Sequence, residues 1–239
     1  MSNFTPSFLN SCAKFAQRLL SQDCLLCGAP SGSHLLCSAC RADLPKHDGP
    51  ACPTCSLPTP HGETCGACLA HPPAFGRTLA AFDYAFPVNA LLHAFKYGGR
   101  LAIAEALADP LAQLASRHPL PDGLVPMPLH PSRLRERGFN QAMELARHLS
   151  RRLGTKPLPH LCQRRLNTSP QADLPWKERK KNIRGAFSCQ ADLTGQRLAV
   201  VDDVMTTGAT VGELARCLQR AGAEVEVWVV ARTLEKPHV

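Results

Sequence analysis

The sequence has no long hydrophobic run and no secretory signal. No segment approaches the roughly 18 consecutive apolar residues that a membrane-spanning helix requires, which excludes such a helix. The N-terminus lacks the basic start, apolar block and small-residue cleavage site of a signal peptide, which predicts a cytoplasmic protein. Its apolar side chains instead predict a short amphipathic helix, for which packing on a neighbour is favoured over membrane-surface binding.

Positive charge is concentrated in one part of the chain. The net charge is +8, and residues 133–184 contain fourteen Lys or Arg against four Asp or Glu. Such a segment suits an anionic partner, either the phosphates of a small substrate or a nucleic-acid backbone; a solvated basic surface is the plainer alternative. Aromatic side chains that could stack on bases are scarce nearby: Phe139, Trp176 and Phe187.

Eight of the twelve cysteines form four Cys-x-x-Cys pairs, and the pairs form a repeat. Two pairs separated by nine residues occur twice, the second copy lying 28 residues after the first. Because Zn²⁺ takes four ligands tetrahedrally and each turn offers two thiolates, the repeat predicts two structural zinc sites. One is assigned to Cys24, Cys27, Cys37 and Cys40, and the other to Cys52, Cys55, Cys65 and Cys68.

Other interpretations of the cysteines stay open. Crossed pairing between the two repeats would also complete two sites. A disulfide framework is disfavoured because no secretory signal is present, and redox catalysis requires one pair rather than four. Four-thiolate sites are closed, so we expect the zinc ions to hold the shape of the module rather than to take part in chemistry.

Residues 197–230 have the pattern of strand, loop, helix and strand. Leu198 to Val201 form an apolar run typical of a buried parallel strand. Between residues 211 and 221 apolar side chains recur at helical spacing, and Gly222 ends the predicted helix. From Val225, valines alternate with other residues as in a strand. The intervening loop places two acids before hydroxyl-bearing residues and a glycine: Asp202, Asp203, Val204, Met205, Thr206, Thr207, Gly208, Ala209 and Thr210.

This loop predicts a site for a sugar phosphate. A helix N-terminus presents unpaired N–H groups and the positive end of the helix dipole, and Gly208 permits close approach of a phosphate. The lysine of a Walker A motif is missing, so the loop is not an ordinary ATP-binding one. Two adjacent carboxylates suit the vicinal hydroxyls of a ribose; an acidic loop without a ligand is the alternative.

The run from Val200 to Thr210 resembles, at every position, the phosphoribosyl-pyrophosphate signature of type I phosphoribosyltransferases. With the cysteine repeat, the resemblance extends to the competence protein ComF family from about Cys24 to Thr233. Phe95-Lys96-Tyr97-Gly98 is similar to that family's first substrate loop. Further similar motifs are Val125-Pro126-Met127-Pro128-Leu129-His130, Arg133, Arg137-Gly138-Phe139-Asn140-Gln141, Arg164, Thr168, Gln171, Arg179, Asn182 and Gly185-Ala186-Phe187.

The resemblance implies a fold and a domain order. The fold class is α/β, a type I phosphoribosyltransferase-like, mainly parallel sheet flanked by helices and preceded by a small double zinc ribbon. The implied segments are an N-terminal helix in residues 1–22, the double zinc ribbon with its four Cys-x-x-Cys pairs in residues 23–72, and the phosphoribosyltransferase-like domain in residues 73–239.

The resemblance also implies a binding site for phosphoribosyl pyrophosphate with Mg²⁺. Asp202 and Asp203 would contact the ribose hydroxyls, and Lys96 would face the pyrophosphate; these three are the catalytic candidates. The remaining donor-binding candidates are Met205, Thr206, Thr207, Gly208, Ala209, Thr210, Tyr97 and Gly98. A flexible loop that closes over the donor is expected in the segment from Arg164 to Arg184. The flexible-loop and basic candidates are Arg133, Arg137, Arg164, Arg179 and Lys180.

Three functions of the protein are open at this point. The protein could be an enzyme that transfers the phosphoribosyl group to an unidentified acceptor. It could instead be a non-catalytic single-stranded DNA-binding protein of natural transformation, using residues 133–184. The cysteine module could also dock protein partners of the DNA-uptake machinery. Fold alone does not decide between them.

Overall fold

The computed structural model describes residues 22–166 and 183–234. These residues divide into two compact units, and the chain passes from the first to the second between Leu44 and Pro45. The division lies inside the cysteine module predicted for residues 23–72, and the domain boundaries of the sequence stay predictions. The predicted N-terminal helix lies outside the described residues except for Gln22, and Arg179 and Lys180 also lie outside them.

The first unit is built around two tight turns. Strands β1 (Gln22–Asp23) and β2 (Pro30–Gly32) pair antiparallel, and helix α1 (Ser38–Ala42) follows. The N–H of Gly28 donates to the Cys24 carbonyl at 2.8 Å, and the sulfur of Cys37 accepts from the N–H of Cys40 at 3.4 Å. Each cysteine pair therefore closes its own turn, as expected of a zinc knuckle.

The second unit contains a five-stranded parallel sheet. Its strands occur in the order β3-β9-β8-β4-β5, and every neighbouring pair is parallel. The strands are β3 (Arg77–Asp83), β4 (Gly123–Pro126), β5 (Lys156–Pro157), β8 (Arg197–Met205) and β9 (Glu224–Arg232). A separate antiparallel pair consists of β6 (Cys162–Arg164) and β7 (Phe187–Cys189). Parallel pairing brings the carboxyl ends of β3, β4, β8 and β9 to one edge.

The described part of the second unit also contains six helices. They are α2 (Gly66–Ala70), α3 (Val88–Tyr97), α4 (Ile103–Ala115), α5 (Pro131–Arg137), α6 (Gln141–Leu153) and α7 (Ala209–Arg220). Helices α4 and α6 contact each other and the sheet, while α7 contacts β8 and β9. The side chain of Asn140 caps α6 by accepting from the N–H of Met143 at 3.3 Å, and Gly154 ends α6 at a φ of 72°.

The central strand is buried on both faces. All four residues from Leu198 to Val201 are fully buried, and Leu198 and Val200 share a core cluster with Leu214 and Leu218 of α7. Burial of both faces explains the continuous apolar run of β8. The predicted α/β class, a mainly parallel sheet flanked by helices and preceded by a double zinc ribbon, is confirmed.

Across the two described ranges, the structure has no helix with the length and apolar character needed to cross a bilayer.

Candidate ligand-binding site and metal centres

The acidic pair and the turn that leads into α7 lie at the carboxyl edge of the sheet. Asp202 and Asp203 are among the last residues of β8, and α7 begins at Ala209, directly after Gly208. Gly208 has a φ of +76°, and a Cβ there would lie 2.7 Å from Cε of Met205. The backbone conformation therefore favours glycine, while the flexible end of Met205 could move away from an added side chain.

Lys96 reaches the acidic pair from a different element. It lies in the last turn of α3, and its Nζ is 2.7 Å from Oδ2 of Asp203. Burial, the largest single influence, lowers the pKa of Lys96, but the charge and hydrogen bond of Asp203 and the charge of Asp202 together outweigh it, so the pKa is raised. The structure thus brings together the three predicted catalytic candidates, Lys96, Asp202 and Asp203, with Lys96 protonated.

Asp202 has unusual electrostatics. Burial of its carboxyl group and, next, the charge of Asp203 raise the pKa of Asp202 to about 7. The N–H of Asp203, which donates to Oδ1 of Asp202 at 2.9 Å, opposes this shift, as do the charges of Lys96 and Arg164. Asp202 therefore changes its protonation state near neutral pH, which is a common property of residues in binding and catalytic sites.

Three of the predicted basic residues gather beside the acidic pair. Burial lowers the pKa of Arg164, Asp202 opposes that shift, and Arg133 and Arg137 reinforce it. Arg164 lies at the end of β6, and its guanidinium carbon is 5.7 Å from the centre of the Phe187 ring. Positive side chains from α3, α5 and β6 therefore converge near the same carboxylates, which favours an anionic ligand.

Tyr97 and Gly98 follow Lys96 at the end of α3. The Tyr97 side chain is exposed, and the guanidinium carbon of Arg137 is 5.6 Å from the centre of its ring. A Cβ on Gly98 would lie 2.6 Å from the carbonyl oxygen of Ala94, so only glycine fits here without a shift of the helix end.

Thr207 lies in the loop between β8 and α7. Its hydroxyl accepts a hydrogen bond from the N–H of Ala209 at 3.3 Å.

The eight paired cysteines form two clusters, as predicted. The sulfur atoms within each group lie within 4.8 Å of one another: Cys24, Cys27, Cys37 and Cys40, then Cys52, Cys55, Cys65 and Cys68. With Zn–S bonds of about 2.3 Å, a tetrahedral site separates its sulfurs by about 3.8 Å. The Cys27–Cys37 and Cys55–Cys65 sulfur separations are 3.8 and 3.7 Å. The geometry fits two structural zinc ions with uncrossed pairing.

The second cluster belongs to the same unit as the sheet. Oγ of Ser56 lies 3.0 Å from Nε2 of His47, and Nδ1 of His47 lies 2.6 Å from Oδ1 of Asp83 at the end of β3. Ser56 is only 5% exposed, so this series of hydrogen bonds holds the cysteine turn to β3 rather than presenting a nucleophile.

Sequence analysis did not single out Arg232, the last residue of β9. Arg232 pairs in register with Met205 of the neighbouring strand β8, and it is 3% exposed. Its Nε donates to the carbonyl of Cys55 at 2.8 Å, and its Nη1 donates to the carbonyl of Met205 at 2.9 Å. The sequence signal that could have identified Arg232 is a positively charged residue at the end of a strand in which valines alternate with other residues.

Together the fold and the site define a class: a double zinc ribbon followed by a parallel α/β domain with an acidic pair and a hydroxyl-rich turn at the carboxyl edge of its sheet. Residues 15–69 match the double zinc ribbon domain family. DNA utilization protein YhgH of Escherichia coli is 38% identical over 88% of this chain and 97% of its own length. Competence protein F of Haemophilus influenzae is 32% identical over 82% of this chain and 90% of its own.

This chain therefore belongs to the family of competence protein F and DNA utilization protein YhgH, and the predicted resemblance is confirmed. Among solved structures, a purine phosphoribosyltransferase from Pyrococcus horikoshii is 20% identical with a TM-score of 0.34, covering 57% of this chain and 85% of its own. Leishmania donovani UMP synthase is 21% identical with a TM-score of 0.35, covering 58% of this chain and 24% of its own.

Proposed function

We propose that this protein binds phosphoribosyl pyrophosphate with Mg²⁺ at the carboxyl edge of its sheet. The observation that carries the proposal is the convergence of Lys96 on Asp203, 2.7 Å apart, directly before the turn that leads into α7. Asp202 and Asp203 accept the ribose hydroxyls, and the N–H groups and hydroxyls from Thr206 to Thr210 receive the 5′-phosphate. Both ends of a ribose phosphate are then held at once.

The pyrophosphate group lies toward the converging cations. Lys96, Arg137 and Arg164 offer positive charge beside Asp202 and Asp203, and pyrophosphate is the most highly charged part of the donor. Guanidinium groups suit this role because they bind phosphate oxygens in pairs. If transfer occurs, these cations also stabilise the charge that develops on departing pyrophosphate.

The acidic pair also fits Mg²⁺, which prefers carboxylate oxygens and keeps several of its waters. Asp202 is partly exposed, so its carboxylate can face a hydrated ion, whereas Asp203 is 7% exposed and held by Lys96. When bound with the donor, Mg²⁺ would offset the negative charge of the pyrophosphate. Asp202 would face the hydrated ion, and Lys96 would neutralise phosphate oxygens.

Calorimetric titration of the donor, with and without Mg²⁺, tests the proposal. The double variant Asp202→Asn/Asp203→Asn should bind the donor at least 100-fold more weakly than wild type, because each lost charged hydrogen bond is worth about 1.5–3 kcal/mol. The exposed Asp48→Asn change is a matched control for the chemistry of the substitution and should leave the affinity unchanged. Equal affinity in wild type and double variant would remove the acidic pair from the site.

A role in DNA uptake is the second part of the proposal. The relatives are named for DNA utilization and competence, and this chain carries Arg133, Arg135 and Arg137 on α5, one end of its basic segment. The exposed ring of Tyr97 lies next to Arg137 and adds a stacking surface that the basic segment itself offers little of. We therefore place single-stranded DNA along α5, with the donor pocket beside it.

Replacing Arg133, Arg135 and Arg137 by alanine should weaken single-stranded DNA binding about 10- to 100-fold at low salt. Three lost phosphate contacts should also reduce the salt-dependence slope by about 2. Fluorescence anisotropy with a labelled oligonucleotide over a salt series measures both quantities. A triple change of the exposed Arg41, Arg117 and Arg220 removes the same charge and should have a smaller effect on both. Equal losses in the two triple variants would show a diffuse charge effect rather than a site on α5.

A further inference from the structure

Arg232 joins a turn of the second cysteine cluster to the phosphate-binding loop. Its guanidinium donates to the carbonyl of Cys55 at 2.8 Å and to those of Met205 at 2.9 Å and Thr233 at 3.0 Å. It also donates to the carbonyl of Thr206. One buried side chain thus binds a zinc ligand's own peptide and two consecutive peptides at the start of the loop.

The charge of Arg232 requires an anion in the interior. A buried guanidinium is costly unless its charge is offset as well as its hydrogen bonds. Nε of Arg232 donates to the peptide carbonyl of Cys55, so the guanidinium lies directly beside the second cysteine cluster. A zinc ion with four thiolates carries a formal charge of −2, so the occupied cluster supplies the anion that Arg232 needs.

The same turn is held from β3 as well. The hydroxyl of Thr78 donates to the carbonyl of Thr54 at 2.6 Å, and the N–H of Thr78 donates to the carbonyl of Pro53 at 3.1 Å. The Thr78 hydroxyl is also 4.0 Å from the sulfur of Met205. With Arg232 on Cys55, the sheet binds three successive carbonyls of the turn, so the turn and the start of the loop share one support.

Holding the carbonyls of Met205 and Thr206 fixes the N–H groups that follow them. In a planar trans peptide the N–H of the next residue points opposite to the carbonyl. Because both carbonyls face Arg232, the N–H groups of Thr206 and Thr207 face away from it. Two adjacent N–H groups with a shared direction form an anion-binding concavity.

We propose that Arg232 is a positioning residue through which the second zinc site controls donor affinity. The zinc thiolates balance the guanidinium, and the guanidinium holds the two peptides whose N–H groups receive the 5′-phosphate. Without this zinc, Arg232 loses the anion that balances its charge, and the two peptides of the loop lose the side chain that holds them. Since coupling between two binding equilibria is reciprocal, donor binding also tightens zinc binding at this cluster. The donor half of this inference rests on the function proposed above; the zinc half does not.

Two variants of Arg232 separate its charge from its hydrogen bonds. Arg232→Met removes both, and transfer of one of the two zinc ions to a chromogenic chelator should become at least tenfold faster. Arg232→Lys keeps the charge but cannot reach all of the carbonyls, so it should keep both zinc ions at near wild-type rates and bind the donor at least tenfold more weakly. Arg77→Met is the matched control, because Arg77 pairs with Glu226 at the opposite end of the sheet and should change neither quantity.

The readouts distinguish the possible failures. The inference is overturned if Arg232→Met releases zinc at the wild-type rate. It is also overturned if Arg232→Lys binds the donor with wild-type affinity. If wild type does not bind the donor, the proposed function fails, and zinc release alone decides whether Arg232 and the cluster are coupled. If Arg232→Met does not fold, zinc release from wild type with saturating donor decides: slower loss of one zinc supports the coupling, and an unchanged rate overturns it.

Discussion

Cys52→Ser is expected to lose one zinc ion and to lower the melting temperature of the sheet-containing unit by about 10 °C. Cys52 is 1% exposed and shares the core cluster with Phe75, Met205 and Val211. Without zinc this cluster loses the metal that closes its turns, and Arg232 is left buried without its anion, which costs about 3–5 kcal/mol. For a unit of this size, 1 kcal/mol corresponds to about 2–4 °C.

Cys24→Ser is the matched control for this prediction. Cys24 is equally buried and also the first ligand of its cluster, but it lies in the unit that ends at Leu44. Both variants should lose one zinc equivalent by metal analysis. Trp228, buried in β9, reports unfolding of the sheet by fluorescence once Trp176 is replaced by Phe. A Cys24→Ser change that lowers the Trp228 transition as much as Cys52→Ser would contradict the assignment of distinct roles to the clusters.

Asp202→Asn should raise stability above neutral pH and remove the part of the pH dependence of donor binding that comes from Asp202. The folded-state pKa of Asp202 is raised from 3.8 to about 7, so between these values the folded chain holds a proton that the unfolded chain has released. Stability contributed by this group therefore falls as the pH rises from about 4 to about 7, and the penalty is complete above that. The group is partly exposed, so we expect a gain of about 1–2 kcal/mol from Asn at pH 8.

Donor affinity should respond in the opposite direction. The ionised carboxylate is the form that accepts two hydroxyls, so wild-type affinity should rise about tenfold between pH 6 and pH 8. The phosphates of the donor titrate in the same range, and the Asp202→Asn profile measures that contribution alone. Thermal melts and calorimetry at pH 4, 6 and 8 provide both data sets. A variant no more stable than wild type at pH 8 would show that Asp202 carries no buried-charge penalty.

Features encoded by neighbouring residues could be predicted from the sequence. The strand, loop and helix from Leu198 to Arg220 were predictable because an apolar run, an acidic pair and helical periodicity follow one another directly. The two zinc clusters were predictable because ligand spacing restricts which thiolates can meet, although the uncrossed pairing required the structure. Lys96 was placed near the acidic pair by family resemblance alone.

Contacts between distant parts of the chain could not be predicted in this way. Arg232 meets Cys55 across 177 positions and Met205 across 27, and a charged residue at a strand end ordinarily faces solvent. The attachment of the second cysteine turn to β3 depends on Thr78, which nothing in its local sequence distinguishes from other strand threonines. Such contacts are set by packing in three dimensions rather than by spacing along the chain.

Lys96 and Asp203 neutralise each other through their ion pair. Under the proposed function, a donor that bonds to both groups must separate them, and the free energy of that separation should be subtracted from its affinity. An anion alone compensates Lys96 but leaves Asp203 unpaired, whereas a neutral sugar does the reverse. A molecule that presents phosphate oxygens and hydroxyl donors together replaces both lost partners, so we expect the ion pair to disfavour orthophosphate and deoxyribose ends that lack the second hydroxyl.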